Sequence, residues 1–423
     1  MGRIAKWKKP LLAFAVGQPA VQLLNVLTGF LLLRWLSKEA YAMFGVAFAF
    51  QSTVNQLTDL GFSGSIVALA GERGTEPAWL GRYLRAARHY RTRLLAFTLL
   101  GAAIAFPLLT WRQEWGAGTK LLLFGAVSVA VVFQSWMVYG SPLLVHRRLW
   151  DYYSPQIVGA AVRLGLCAGL YVAGLLSAWA VAWLGSLVIG WTGWSYRRAS
   201  RDCAHEPAAS DPETNREMRR YLAPFIPGAI FFALQGQITV GIISVFGSTA
   251  QLAEISAVGR IGQLFLLLNA FNAIVLEPYF ARLPVSLLQR RYVQIVGAAV
   301  LLAVSLATVA FMFPKPLLWL LGPNYANMQQ AVGWTVVSAC ITYVANLMWT
   351  MHAARRWVYW WVTNTYITCV IMVQVICAIT MDLRNTIQVV WFGSITALVV
   401  FAVTLANGIY GLYYGHKRIT KQS

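Results

Sequence analysis

An all-α polytopic membrane protein of about twelve transmembrane helices is the fold class this sequence predicts, and three observations predict it. Of its 423 residues, 58% are hydrophobic and only 11% charged, against roughly 25% charged in soluble domains, and the mean hydropathy is +0.60. Twelve apolar stretches are long enough to approach or exceed the ~20 residues that cross a bilayer as a helix: 10–34, 41–70, 93–111, 119–145, 152–175, 178–196, 221–246, 250–281, 292–321, 327–351, 357–381 and 386–414. The third observation is the net charge of +20 and its placement. With the N-terminus inside, the outer segments hold only Arg34, Lys38, Arg112, Lys120, Lys315 and Arg384, and Arg163 and Arg260 lie within spans. Every other Lys and Arg falls inside, so the charge records topology with both termini cytoplasmic. It does not point to a nucleic acid, and a soluble globular protein is excluded.

Taken in order, the first span follows a basic start with no small-residue cleavage site, which reads as a membrane helix and not a removable signal. It carries Gln18, Gln22 and Asn25 at i, i+4, i+7 and ends on Arg34, whose position alone fits an anchor reaching for headgroups. The second span places Ser52, Asn55, Gln56 and Asp59 at i, i+3, i+4, i+7. Arg82, Arg85, Arg88, Arg91 and Arg93 precede the third at mostly i, i+3 spacing, expected to make one cationic helix face against anionic headgroups. The fifth span holds Arg163 about 11 residues in, which at ~1.5 Å per residue is near mid-bilayer, with Gln156 seven residues earlier on the same face.

After the sixth span comes the longest polar segment, containing Pro207 and Pro212. It divides the chain into residues 1–196, a cytoplasmic linker 197–220 and residues 221–423, two halves of six spans each. The seventh span repeats features of the first: early prolines (Pro224, Pro227), glutamines and a tight turn (Gly247-Ser248, as Ser37-Lys38). Internal repeats of this kind are how many transporters are built. The eighth span carries Glu254, Ser256, Arg260 and Gln263, and the tenth Thr335, Ser338, Thr342 and Asn346. Trp349, Trp357, Tyr359, Trp360 and Trp361 crowd one inner boundary as an aromatic belt would.

Polar stripes in lipid are costly and should face the bundle interior. Interhelical hydrogen bonds of ~1 kcal/mol each would explain any one of them; stripes in both halves point to a polar cavity. The candidate substrate-binding residues are Arg163, Arg260, Arg34, Gln22, Asn25, Asn55, Gln56 and Gln156. Asp59 and Glu254 are candidates for a coupling ion, H+ or Na+, or for ion pairs with the deep arginines; Glu277 is a further acidic partner. Guanidinium groups stay charged when desolvated and bind phosphate bidentately, so an anionic, phosphate-bearing substrate fits better than a drug cation.

Catalysis has little to stand on. The five cysteines contain no CxxC pair, the five histidines (His89, His146, His205, His352, His416) show no metal or catalytic spacing, and no Gly-rich phosphate loop or DxD pair is present. No cofactor and no metal are expected.

Leu33-Arg34-Trp35-Leu36-Ser37-Lys38-Glu39-Ala40-Tyr41, Thr58-Asp59-Leu60-Gly61-Phe62-Ser63, Val258-Gly259-Arg260-Ile261 and Leu321-Gly322-Pro323-Asn324-Tyr325 together resemble polysaccharide (O-antigen type) flippases of the multidrug/oligosaccharidyl-lipid/polysaccharide exporter superfamily. The layout matches over nearly the whole chain; Ala42 and Ile255 depart from the family's usual residues. The resemblance implies two six-helix bundles forming a V around a central cavity, as in the MATE-like fold. It also implies alternating access that carries a polyprenyl-diphosphate-linked oligosaccharide from the inner to the outer leaflet of the inner membrane, with polysaccharide polymerase and other assembly proteins as partners. Arg34, Asp59 and Arg260 match its motifs, and Arg163 enters on the physical argument alone. Twelve spans also set the chain apart from the fourteen-helix peptidoglycan lipid II branch. The alternatives are a multidrug cation antiporter of the same superfamily, which needs an acidic cavity, a membrane glycosyltransferase, which needs a carboxylate or metal constellation at a wet face, and a non-transporting scaffold.

Overall fold

The computed structural model describes the chain apart from residues 1, 71, 72, 75, 224, 225, 247, 273–275, 277, 278, 281, 282, 356, 358 and 420–423, and no side chains at 2–14, 68, 236, 237, 239–246, 267, 270, 285, 360 and 415–419. Pro224, Gly247 and Glu277 therefore lie outside the described residues. The described chain is helical and separates into two compact units, residues 1–253 and 254–423.

Unit 1 begins with α1 (Gly2–Trp35), α2 (Lys38–Asp59), α3 (Phe62–Ala70), α4 (Pro77–Thr110) and α5 (Ala117–Gln134). It continues with α6 (Gly140–Val145), α7 (Leu149–Val172), α8 (Ala178–Ala199), α9 (Pro212–Leu222) and α10 (Ile226–Phe246). Among these, α1 packs on α7, α5 and α7 pack on α8, and α2 packs on α4, α5, α8 and α10. The unit runs past the polar linker because α9 packs on α3 and α4, and α10 on α2 and α4.

The boundary between units falls within α11 (Thr249–Gly262). Unit 2 continues with α12 (Phe265–Phe271), α13 (Val285–Met312), α14 (Pro314–Leu321), α15 (Gln329–Ala354), α16 (Trp360–Thr380) and α17 (Thr386–Ile419). Within it α15 packs on α12, α13, α14 and α17, and α16 on α17.

Among the described residues, eight helices are long and apolar enough to cross a membrane, fewer than the twelve expected spans. Their outer faces carry exposed apolar side chains at helical spacing, such as Phe97, Leu100, Ile104 and Leu108 on α4. A lipid-facing stripe of this kind is the reverse of a soluble helix's polar outer face.

Several spans expected to be continuous are broken. The second stops at Asp59, because Leu60 (φ 42°) and Gly61 (φ 87°) both adopt left-handed backbone before α3 starts. The Asp59 carboxylate then accepts the Ser63 N–H at 3.3 Å in the first turn of α3. The fourth passes through a 3-10 turn at Ser135–Tyr139 where Gly140 meets the rings of Tyr152 and Tyr196; a Cβ there would lie 2.9 Å from Tyr152. The eighth tightens after Gly262, with Gln263 N–H bonded to the Arg260 carbonyl and Leu264 N–H to that of Ile261, before α12 begins. The ninth breaks at Phe313, since Pro314 lacks the N–H that would continue the helix.

The linker is not an open loop. Asp211 caps α9, accepting the Thr214 hydroxyl at 2.6 Å, and the linker docks on the N-terminal half of α4. Arg82 pairs with Asp211 (2.5 Å), Arg88 with Glu206 (2.5 Å), Arg85 donates to the Ala208 carbonyl, and Tyr83 donates to Glu217 (2.8 Å). The basic stretch expected to lie on headgroups thus finds carboxylates of its own chain. Gly81 permits the approach: a Cβ there would lie 1.8 Å from the His205 carbonyl oxygen.

Candidate functional site

Unit 1 holds two polar cavities, and most of the sequence-derived candidates line one or the other. The first, about 190 Å3, lies among α1, α2, α7 and α8 and is lined by Asn25, Gln51, Gln156, Arg163, Gly185 and Thr192 together with apolar side chains. Arg163 and Gln156 reach it from one face of α7, as their seven-residue spacing requires. The Gln156 amide donates to the Tyr152 carbonyl at 3.1 Å. Gly185 on α8 faces the Arg163 guanidinium, where a Cβ would sit 3.6 Å from Cζ. Arg163 is the charged member of the cavity lining, and the side chains that line it alongside are neutral.

The second cavity, about 680 Å3, opens at the break between α2 and α3. All four members of the α2 stripe, Ser52, Asn55, Gln56 and Asp59, line it, with Ser63, Arg91, Gln134 and Ser141 opposite and Tyr152 and Phe232 adding ring surface. Arg91 is 2% exposed and pairs with Asp59 through Nη1 and Oδ1 at 3.1 Å. Nη1 also donates to Ser63 Oγ at 2.7 Å and Nη2 to the Gln134 carbonyl at 2.8 Å, while Ser63 Oγ donates to the same Asp59 oxygen at 2.6 Å. Among the described residues the hydrogen bonds and the ion pair of Asp59 fall on Oδ1, leaving Oδ2 on a side chain 31% exposed.

Arg91 is the residue that sequence reasoning missed, having been grouped with a single cationic face. Each i, i+3 step turns about 60° short of a full revolution, so three steps from Arg82 bring Arg91 to the opposite side of α4. Helical geometry alone could have separated it from Arg82. Gln51 and Gly185 were also missed: Gln51, four residues before Asn55, sits at the edge of the α2 stripe, and Gly185 has no side chain to mark it.

Other candidates stand elsewhere. Arg34 is exposed at the end of α1, and Gln22 is half-buried on α1 outside the lining of both cavities. In unit 2, Arg260 is buried at 8% exposure and donates to Gln263 Oε1 at 3.3 Å, and Glu254 accepts the Thr386 hydroxyl at 2.7 Å.

His352, one of the five histidines without metal or catalytic spacing, is fully buried on α15. Tyr292 Oη lies 3.0 Å from its Nε2, and Asn407 Nδ2 lies 3.0 Å from its Nδ1 and donates to the Trp357 carbonyl. This network ties α13, α15 and α17 together. Trp357 is buried too, and so is no belt residue: a Cβ at Gly411 would come within 2.6 Å of its indole, so the glycine admits it.

No family model matches the sequence, and no curated relative does. Solved structures do match. An inward-facing multidrug resistance MATE family transporter of the MOP superfamily superposes with a TM-score of 0.65 at 13% identity, covering 95% of each chain. The lipid II flippase MurJ in an inward closed conformation gives 0.66 at 10% identity over 93% of this chain and 87% of its own. A MOP superfamily transporter from Pyrococcus furiosus, described as having a binding pocket of reverse polarity, gives 0.58 at 13% identity over 97% and 94%. At these identities the likeness establishes the fold: an all-helical, multi-pass membrane protein with the architecture shared by MATE and MurJ transporters.

Proposed function

We propose that this protein is a transporter that flips a polyprenyl-diphosphate-linked oligosaccharide from the cytoplasmic to the outer leaflet of the inner membrane, for assembly of a surface polysaccharide. The observation that carries the proposal is the cavity holding Arg163 with the amides of Asn25, Gln51 and Gln156. A guanidinium among neutral amides in a low-dielectric site attracts a diphosphate and repels an organic cation. That the fold is shared with a lipid II flippase supports a lipid-linked substrate, whose polyprenyl tail would stay in the bilayer. No covalent chemistry is needed, and alternating access would carry the headgroup across.

In this reading Arg260 supplies a second cationic contact and Arg34 one at the outer boundary. Of the two carboxylates suited to a coupling ion, H+ or Na+, Glu254 is the better choice, because a guanidinium 3.1 Å from Asp59 opposes a second cation there. Both termini would be cytoplasmic, and a polysaccharide polymerase would be a natural partner.

The MATE likeness favours one second reading, a multidrug antiporter. The test is translocation of a fluorescent polyprenyl-diphosphate oligosaccharide in proteoliposomes, with wild type compared with Arg163→Ala and Arg260→Ala at matched folded protein. Flipping by wild type and at least tenfold loss in Arg163→Ala, a difference of about 1.4 kcal/mol in barrier, is expected. Flipping that survives both substitutions would reduce the arginines to structural roles, and uptake of organic cations without lipid flipping would favour the antiporter.

A further inference from the structure

The cavity at the break in the second span differs in chemistry from the Arg163 cavity. Its lining contains one carboxylate and one guanidinium, and these are paired, so the site carries no net charge. A phosphate approaching it meets the Asp59 carboxylate. A metal cation meets Arg91, whose guanidinium is already bonded to that same carboxylate. What the wall offers is a dense set of neutral or neutralised hydrogen-bonding groups: the amides of Asn55 and Gln56, the Ser52 hydroxyl, and Oδ2 of Asp59, which accepts nothing from the described residues. Asn55 Oδ1 is a buried acceptor with no hydrogen-bond partner among the described residues. A set of side chains that both donate and accept is the complement of sugar hydroxyls, each of which does both. Phe232, 49% exposed, and Tyr152 add apolar ring surface that suits the C–H face of a pyranose. The volume, about 680 Å3, lies within the ~300–1,000 Å3 of small-molecule sites.

We propose that this cavity is a sugar subsite, in which Asn55, Gln56 and the Arg91-compensated Asp59 carboxylate hold neutral sugar hydroxyls of a lipid-linked glycan. Resting on the flippase reading above, this divides recognition in unit 1: diphosphate at Arg163, sugar at Asn55, Gln56 and Asp59. Arg91 is a positioning residue. It holds one carboxylate oxygen, orients the other and cancels the charge that would make the site take a cation.

The test uses the full-length protein in nanodiscs and four kinds of probe: bare polyprenyl diphosphate, polyprenyl diphosphates bearing one neutral hexose or one N-acetylhexosamine, and the corresponding free sugars. Wild type should bind at least one sugar-bearing lipid tighter than the bare diphosphate. Asn55→Leu and Gln56→Leu should each weaken sugar-lipid binding about three- to tenfold, the worth of one lost hydrogen bond, while leaving bare diphosphate binding unchanged. Arg163→Ala should weaken both lipids in parallel. If Asn55→Leu does not yield folded protein, Ser52→Ala replaces it as the milder variant.

Binding in which sugar adds nothing, or adds the same increment in the variants, overturns the sugar subsite and leaves the flippase reading standing. Free sugar that binds in an Asn55-dependent way, with no diphosphate lipid bound, keeps the subsite and overturns the flippase reading. Failure of every probe to bind overturns both.

Discussion

Arg91 of α4 and Asp59 at the end of α2 form an ion pair at 3.1 Å in which the two partners are unequally buried: 2% of the arginine side chain is exposed and 31% of the carboxylate. Ser63 bridges them, accepting from Arg91 and donating to Asp59. The pair therefore braces the two left-handed residues, Leu60 and Gly61, at which the second span breaks.

The asymmetry fixes an order of stabilities. Asp59→Asn leaves a fully buried guanidinium without its counter-charge and should cost about 3 kcal/mol or more, as breaking a buried pair does. Arg91→Met leaves a carboxylate that still reaches the cavity, and should cost less, roughly 1–2 kcal/mol. The double variant should be more stable than Asp59→Asn alone. Thermal unfolding of the purified protein reads the order, and equal losses in both single variants would contradict the asymmetric burial.

The Arg163 cavity depends on a missing side chain. A Cβ at position 185 meets the guanidinium at 3.6 Å, ordinary contact distance, so Gly185→Ala should transport within about twofold of wild type. Gly185→Leu extends into the cavity and should lower flipping about tenfold or more, equivalent to ~1.4 kcal/mol, with little change in melting temperature. Transport assays beside melting curves separate the two effects.

At Gly81 the sign is decided by a clash. Alanine is the better helix former by ~1 kcal/mol, yet its Cβ would fall 1.8 Å from the His205 carbonyl oxygen. Overpacking of about 1–3 kcal/mol should win. The expected outcome for Gly81→Ala is a linker released from α4, seen as faster proteolysis between residues 199 and 212; slower proteolysis would show that the strap shifts without cost.

The linker should also respond to acid in a defined window. Asp211 is held down to about 2, first by the Thr214 hydroxyl, with Arg82 and the N–H groups that open α9 adding to it. A carboxylate lowered from its unfolded value near ~3.9 stabilises the folded form fully above that value and loses the contribution as pH falls toward about 2. Exchange protection of α9, corrected for intrinsic rates, should therefore be flat from pH 8 to about 5 and fall below about 4. Asp211→Asn should remove the acid-dependent part.

The Asn25, Asn55, Gln56, Asp59, Gln156 and Arg163 side chains were all legible as polar positions in apolar spans, because lipid makes each such residue costly unless it faces a wet interior. Their sorting into two cavities was not. Residues of one stripe share a face by helical periodicity, but which neighbouring helix supplies the opposite wall depends on packing between segments far apart in sequence. Gln51 and Gly185 show this: one lies four residues before Asn55 yet lines the other cavity, and the other contributes by having no side chain.

What the sequence by itself determined was the class of protein and its helical character, since hydropathy and span length act residue by residue. Only the tertiary structure decided where helices break and which charges meet. Arg82 and Arg91 look alike in sequence, yet one is claimed by the linker carboxylate of Asp211 and the other by Asp59. They lie about two and a half helical turns apart, and the half-turn of rotation left over sends one charge to the linker and the other into the core of unit 1.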